Sequence, residues 1–173
     1  MTAFDRFTAE LVATLKARGV SGLSDIAEML RPLLRDPALA AFAFPDESVR
    51  KRVLFHDEET DVYVLAHIHE AGKRGRPHSH GASWAVYGNV TGVTEMTEWR
   101  RSNPESEPHA VLEPVSHYRL HPGDSRAYRP HVIHSTAHPE AAHVIRITGT
   151  DLDRIPRFGF DPKHDRIIAP AAD

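Results

Sequence analysis

The sequence contains no cysteine. That absence excludes disulfides, thiolate zinc sites and a cysteine nucleophile, and it fits a reducing cytoplasm. There is no basic run, and 21 Lys and Arg against 24 Asp and Glu leave a formal charge of −3, so no nucleic-acid partner is expected. No stretch approaches a membrane span, so no membrane partner is expected either. Met1-Thr2-Ala3-Phe4-Asp5-Arg6 lacks the basic segment and apolar core of a secretory signal, which again points to the cytoplasm. There is no internal repeat and no low-complexity segment. Apolar residues at 40% and charged residues at 26% are an ordinary globular balance.

What stands out is histidine, with 13 copies, most of them after residue 66. For most of these the plain reading, a solvated polar position, suffices. The question is which few are not of that kind, and the pattern along the chain answers part of it.

The first third reads as helical. Phe4, Phe7, Leu11 and Leu15 recur at spacings of three and four and give one apolar face, with Gly19 as C-cap. Ser24 is the expected N-cap of a second helix carrying Ile26, Ala27, Leu30 and Leu34, which Pro32 should kink or divide. Asp36-Pro37 starts a short segment that Pro45-Asp46 ends.

From about Arg52 the period changes to two. Val62, Val64, Ala66 and Ile68 alternate with Tyr63, Leu65, His67 and His69. Residues 84–87 and 90–96 read as two strands joined at Gly88-Asn89, and Arg100 to Pro108 as a polar hairpin tip. Further strands are expected at 110–119, 125–129, 132–137 and 142–148, followed by an irregular tail. Helices followed by about eight short strands, with none between strands, argue against a parallel α/β sheet and for a closed antiparallel barrel. The expectation is one domain over 1–173, with a helical segment at 1–45, a mainly β jelly-roll barrel at 50–150 and the tail at 151–173.

The densest chemical signal is Arg76-Pro77-His78-Ser79-His80-Gly81. Histidines two apart at a strand entrance can face the same side, so two imidazoles can hold one cation. Imidazole suits zinc, copper, iron and nickel and is poor for calcium or magnesium. His67-Ile68-His69 is a rival pair; it lies late in a strand without a Gly or Pro turn, so we read it as a wall of the pocket, with His69 behind the ligands. The second cluster runs from Leu120 to His134. In it Pro122-Gly123-Asp124 turns into a strand, and His134 starts another. His131 competes as third ligand, but its place beside Pro130 suggests a turn residue that supports the ligands from behind.

A His-x-His pair, a hairpin of some fifty residues, then a Pro-Gly-Asp turn and a lone His match the two-motif layout of the cupin superfamily. Many cupins add a carboxylate four or five residues after the second histidine, where this chain has Trp84 and Ala85. His78, His80 and His134 would therefore leave about three open positions on the metal. The segment from Arg52 to about Thr148 resembles the thiol dioxygenase branch of the cupins, the cysteine dioxygenase and 3-mercaptopropionate dioxygenase group. That resemblance implies a double-stranded β-helix barrel, Fe2+ on the three histidines, O2 as co-substrate and oxidation of a thiol-bearing carboxylic acid to a sulfinate. It also implies that Arg52, twenty-six residues before His78, binds the substrate carboxylate; Arg50 and Lys51 are adjacent rivals.

The chain departs from that group in one respect. A Ser-His-Tyr relay on alternate residues should fall near 144–150, where this chain has Val144-Ile145-Arg146-Ile147-Thr148-Gly149-Thr150. Arg146 stands at the inward histidine position if the Ile pair packs outside, and a buried arginine calls for an anionic partner. Two other readings remain open: a Zn2+, Ni2+ or Mn2+ cupin isomerase or lyase, and a cupin that binds a metal or ligand without catalysis.

Overall fold

The structure is a computed structural model and is described here for residues 1–168. Three helices precede the β structure: α1 (Ala3–Arg18), α2 (Leu23–Leu34) and α3 (Pro37–Ala43). Thr2 and Asp5 form a reciprocal capping box at the start of α1, and Gly19, at φ 52°, ends it. Asp36 caps α3 by accepting a hydrogen bond from the Ala38 amide, 2.8 Å away.

Two helix expectations are corrected. The N-cap of α2 is Gly22, with no side-chain cap, and Ser24 lies inside the first turn, because a 3₁₀ turn over Gly19–Gly22 leads directly into the helix. Pro32 does not divide α2. It falls in the last turn, where only one backbone donor is lost, and Leu30, Leu33 and Leu34 remain buried around it.

Eight strands build the barrel: β1 (Lys51–Asp57), β2 (Val62–His69), β3 (Ala85–Thr91), β4 (Thr94–Arg101), β5 (Leu112–Leu120), β6 (Ser125–Tyr128), β7 (Ile133–Ala137) and β8 (Ala142–Thr148). All their pairings are antiparallel. They form a five-stranded sheet in the order β1-β2-β8-β3-β6 and a three-stranded sheet in the order β5-β4-β7. This is the expected jelly-roll class, with helices at the N-terminal side.

The core has two parts. Val62, Val64 and Ala66 of β2 and Ile145 and Ile147 of β8 pack against Leu11, Ile26, Leu30 and Leu34, so this face of the larger sheet is sealed by the helices. Tyr87, Met96, Leu120, Tyr128 and Val144 fill the space between the two sheets. The alternation of β2 and β8 thus sends aliphatic side chains to the helices and leaves Leu65, His67, Arg146 and Val144 facing inward.

Two further departures bear on the site. β3 does not turn at Gly88-Asn89 but continues to Thr91, and the hairpin turns at Gly92, at φ 67°. Gly88 is a mid-strand glycine because α2 lies directly on it: a Cβ there would stand 2.7 Å from Leu34 and 2.9 Å from Leu30. The tail, expected to be irregular, carries a 3₁₀ turn at Leu152–Arg154 and a small hairpin of β9 (Gly159–Asp161) and β10 (Arg166–Ile168).

Candidate metal centre

Each of the three expected ligands is held by backbone structure before its ring is considered. The 72–78 loop runs antiparallel to β7: Gly72 donates to the His138 carbonyl at 2.7 Å and Gly75 to that of Thr136 at 2.8 Å. His78 and His134 exchange amide-to-carbonyl hydrogen bonds in both directions at 2.9 Å. On the other side of the loop, Ser79 donates to the Phe158 carbonyl at 3.0 Å and Phe160 to that of Pro77 at 2.8 Å. His78 is therefore the central rung of a short three-stranded ladder. His80 follows in the turn, and Gly81, at φ 56°, reverses the chain and accepts the His131 amide at 2.9 Å.

The three rings converge. Their centroids lie 4.7 Å apart for His78 and His134, 5.3 Å for His78 and His80, and 4.9 Å for His80 and His134. One ring nitrogen from each falls within 4.8 Å of the others. Metal–nitrogen bonds of about 2.1 Å cap the distance between two ligands at about 4.2 Å, so a small ring movement closes the set on one ion.

The donor chemistry fits. The His78 Nδ1 lies 2.9 Å from the Arg76 carbonyl, which makes Nδ1 the protonated nitrogen and leaves the Nε2 lone pair for a metal. Burial, then the neighbouring His134, His78, Arg146 and Arg157, hold His80 well below the ordinary imidazole pKa, in the neutral form that ligates. Tyr128 stacks on His134 at 4.8 Å, and the Tyr87 hydroxyl lies 3.3 Å from His80 Nε2. No Asp or Glu joins the set among the described residues.

Beside this centre opens a cavity of about 630 Å³, which reaches it at His78 and Tyr87. Arg146 faces it, as the cross-strand partner of Leu65 and Tyr87, and is buried. His69 lines its wall, stacked 4.0 Å from His138 and away from the three converging rings.

Arg52, expected to bind the substrate carboxylate, is not among the residues that line the cavity. It pairs with Ala66, whose face packs on the helices, so its guanidinium turns outward to the Phe42 carbonyl and stands 5.3 Å from the Phe42 ring. The rivals Arg50 and Lys51 line the cavity instead. His131 is a turn residue at φ 66° with an exposed side chain, and it meets the centre through its backbone amide.

Sequence reasoning did not single out Tyr87, Tyr128 or His138. The last had a signal: His134, Thr136 and His138 alternate along β7 and its end, and Thr136 and His138 both line the cavity.

His138 also yields a pH prediction. Burial first, then Lys73, lower its pKa to about 4, whereas the unfolded chain titrates near 6.5. Between these values the unfolded state binds the proton and the folded state does not, so stability falls as pH drops from 6.5 to 4. The effect amounts to a few kcal/mol. Urea midpoints measured across that window should decline for the parent protein and less steeply in His138→Gln, where His67 and His80, also held below the ordinary imidazole pKa by burial, still contribute.

No family model matches the chain, and no curated protein matches it by sequence. Solved structures similar to it in chain path include KdgF from Halomonas sp., at 20% identity and TM-score 0.45 over 61% of this chain and 83% of that one. An RmlC-like cupin from Shewanella frigidimarina gives 18% identity and TM-score 0.44, over 61% of this chain and 79% of its own. A cupin superfamily protein from Desulfitobacterium hafniense gives 15% and 0.43, over 58% and 76%.

Proposed function

We propose that this protein is a metal-dependent cupin enzyme, a non-haem iron dioxygenase that acts on a small thiol-bearing carboxylic acid. The observation that carries the reading is the convergence of His78, His80 and His134, with no carboxylate among them, on the edge of a 630 Å³ cavity. A ferrous ion on three neutral imidazoles supplies redox chemistry with O2 and lowers the pKa of a ligating thiol.

The chain's own residues do the rest. Arg146, on the inward face of β8, takes the substrate carboxylate in the place expected of Arg52, with a planar fork suited to two parallel hydrogen bonds. Tyr87, its cross-strand partner, holds its hydroxyl 3.3 Å from His80 Nε2 and orients the substrate by hydrogen bonding. Aliphatic and aromatic packing between the two sheets, through Met96, Tyr128 and Val144, keeps bulk water from the back of the centre.

The test is metal analysis of protein purified without added metal, followed by O2 uptake against a panel of small thiols. Iron at about one ion per chain with thiol-dependent O2 uptake is expected. Zinc or manganese with no O2 uptake would transfer the reading to a Lewis-acid isomerase or lyase. Arg146→Lys keeps charge but loses the fork, and should weaken substrate binding by about 1.5–3 kcal/mol with metal content unchanged. Arg52→Lys should leave the KM as it is.

A further inference from the structure

Tyr128 is 3% exposed, yet neither it nor Tyr118 lines the cavity, so substrate binding makes no use of their hydroxyls. They form a chain that leads away from the metal centre instead. The Tyr128 ring stacks on His134, with centroids 4.8 Å apart and planes 27° apart. Its hydroxyl lies 2.6 Å from that of Tyr118, which in turn lies 2.7 Å from Glu98 Oε1. Arg126 donates to the same carboxylate oxygen at 3.0 Å and stands 4.2 Å from the centroid of the Tyr118 ring. The path thus runs from a buried ring against His134, through half-buried Tyr118 and Glu98, to exposed Arg126.

Strand pairing brings these groups together. Glu98 is the cross-strand partner of His134, and Met96, on the same face of β4, is that of Tyr118. Imidazole, carboxylate and phenol therefore share the inward face of the smaller sheet, and Tyr128 joins them from β6.

The chain has a fixed direction. A carboxylate only accepts, so the Tyr118 hydroxyl gives its one hydrogen to Glu98, and Tyr128 is the donor to Tyr118. Burial, before any other cause, raises the pKa of both phenols, so neither loses its proton in ordinary acid–base exchange. A phenol that gives up an electron becomes a strong acid, and a carboxylate already bonded to its hydroxyl is then the proton acceptor.

We propose that Tyr128, Tyr118 and Glu98 are an exit path for oxidising equivalents: when the metal centre is oxidised with no substrate to consume the oxidant, Tyr118 supplies an electron by way of the Tyr128 ring and its proton passes to Glu98. This rests on the iron reading above and adds a protective function to the same centre. The Tyr118 O–H bond breaks, the electron reduces the metal-bound oxidant by one, and an O–H bond forms at Glu98 Oε1. The products are a neutral Tyr118 phenoxyl radical and a neutral Glu98 carboxyl. A thiol in solution then gives an electron to the half-buried radical, Glu98 returns the proton, and the proton of the thiol goes to solvent. The rings of His78, His80 and His134 are thereby spared oxidation.

The ferrous protein is treated with hydrogen peroxide in the absence of thiol and frozen for electron paramagnetic resonance. Peroxide withdraws two electrons from the metal, of which Tyr118 replaces one, so a tyrosyl signal that narrows with ring-deuterated tyrosine is expected. Tyr118→Phe should weaken it roughly tenfold and, in peptide mass spectra, raise oxidation of His78, His80 and His134 about threefold or more at unchanged metal content. Tyr63→Phe, in β2 and outside the chain, should alter neither. The proton acceptor is read in the metal-free protein. Hexachloroiridate, a diffusing one-electron oxidant, should oxidise Tyr118 at a rate independent of buffer concentration. In Glu98→Gln the Tyr118-dependent component should slow roughly tenfold and rise with buffer base. Neither measurement uses thiol turnover or O2, so each is distinct from a failure of the oxygenase reading. No tyrosyl signal, a signal undiminished in folded Tyr118→Phe, or an unchanged rate in Glu98→Gln would overturn the proposal.

Discussion

Replacing His78, His80 or His134 singly with alanine should abolish stable metal binding, with affinity falling by at least two orders of magnitude in each case. A three-nitrogen set that loses one donor keeps two, and among the described residues no Asp or Glu joins the set to take the vacant position. The backbone ladder around His78 and His134 uses amides and carbonyls, so it survives each substitution and the loss is one of ligation. His131→Ala separates this reading from its rival. Its ring is exposed and its link to the centre is a main-chain hydrogen bond to Gly81, so metal affinity should change by less than about threefold, under the 10–100-fold typical of a group that supports a ligand directly. Inductively coupled plasma analysis of the four variants, with circular dichroism to verify folding, distinguishes them. A site emptied by His131→Ala and retained by His134→Ala would reverse the assignment.

Gly81→Ala should be nearly as damaging, although it removes no functional group. Gly81 follows His80 directly and lies at φ 56°, a conformation that costs a non-glycine residue about 1–2 kcal/mol. Space is the harder obstacle. A Cβ there would stand 2.4 Å from the Pro156 carbonyl oxygen, which is backbone of the segment leading to β9 and cannot rotate aside. The turn must open, and His80 moves with it. We expect a loss of roughly 2–4 kcal/mol in unfolding free energy together with metal affinity lowered by tenfold or more. Denaturant unfolding and metal titration read the two effects separately. Gly72→Ala, also at positive φ but with nothing within 4 Å of its Cβ, should show the strain without the displaced ligand.

The three converging histidines could be read from the sequence because their placement is local. Pro77 and Gly81 mark a loop around His78 and His80, and Pro122-Gly123-Asp124 announces the strand pair that ends in His134. Arg52 could not be read this way. β1 is an edge strand whose residues are exposed or half-buried on both faces, with a bulge between Val53 and Phe55, so its alternation does not mark an inside. A position fixed by counting residues is wrong by a whole face if it slips by one. Arg146 lies in a central strand flanked by Ile145 and Ile147, and that pair, once packed on the helices, determines its direction. Gly88-Asn89 was misleading for a different reason: the pair is ordinary turn chemistry, and only the presence of α2 across the sheet explains a glycine there as a packing residue. The partners of His67 and His138 are tertiary, and no short-range pattern reports them.

The ladder at His78 has a consequence for the order in which the molecule is made. One side of that rung is bonded by β7 and the other by the Phe158–Phe160 segment, roughly eighty residues downstream. At ribosomal rates of about 5–20 residues per second, the loop bearing His78 and His80 waits several seconds or more for the partners that fix it. During that interval the nascent chain has both histidines but no rigid site, so a metal arriving early meets flexible ligands open to the wrong ion. Under the function proposed above, selection of the metal is thereby deferred until the Phe158–Phe160 segment docks.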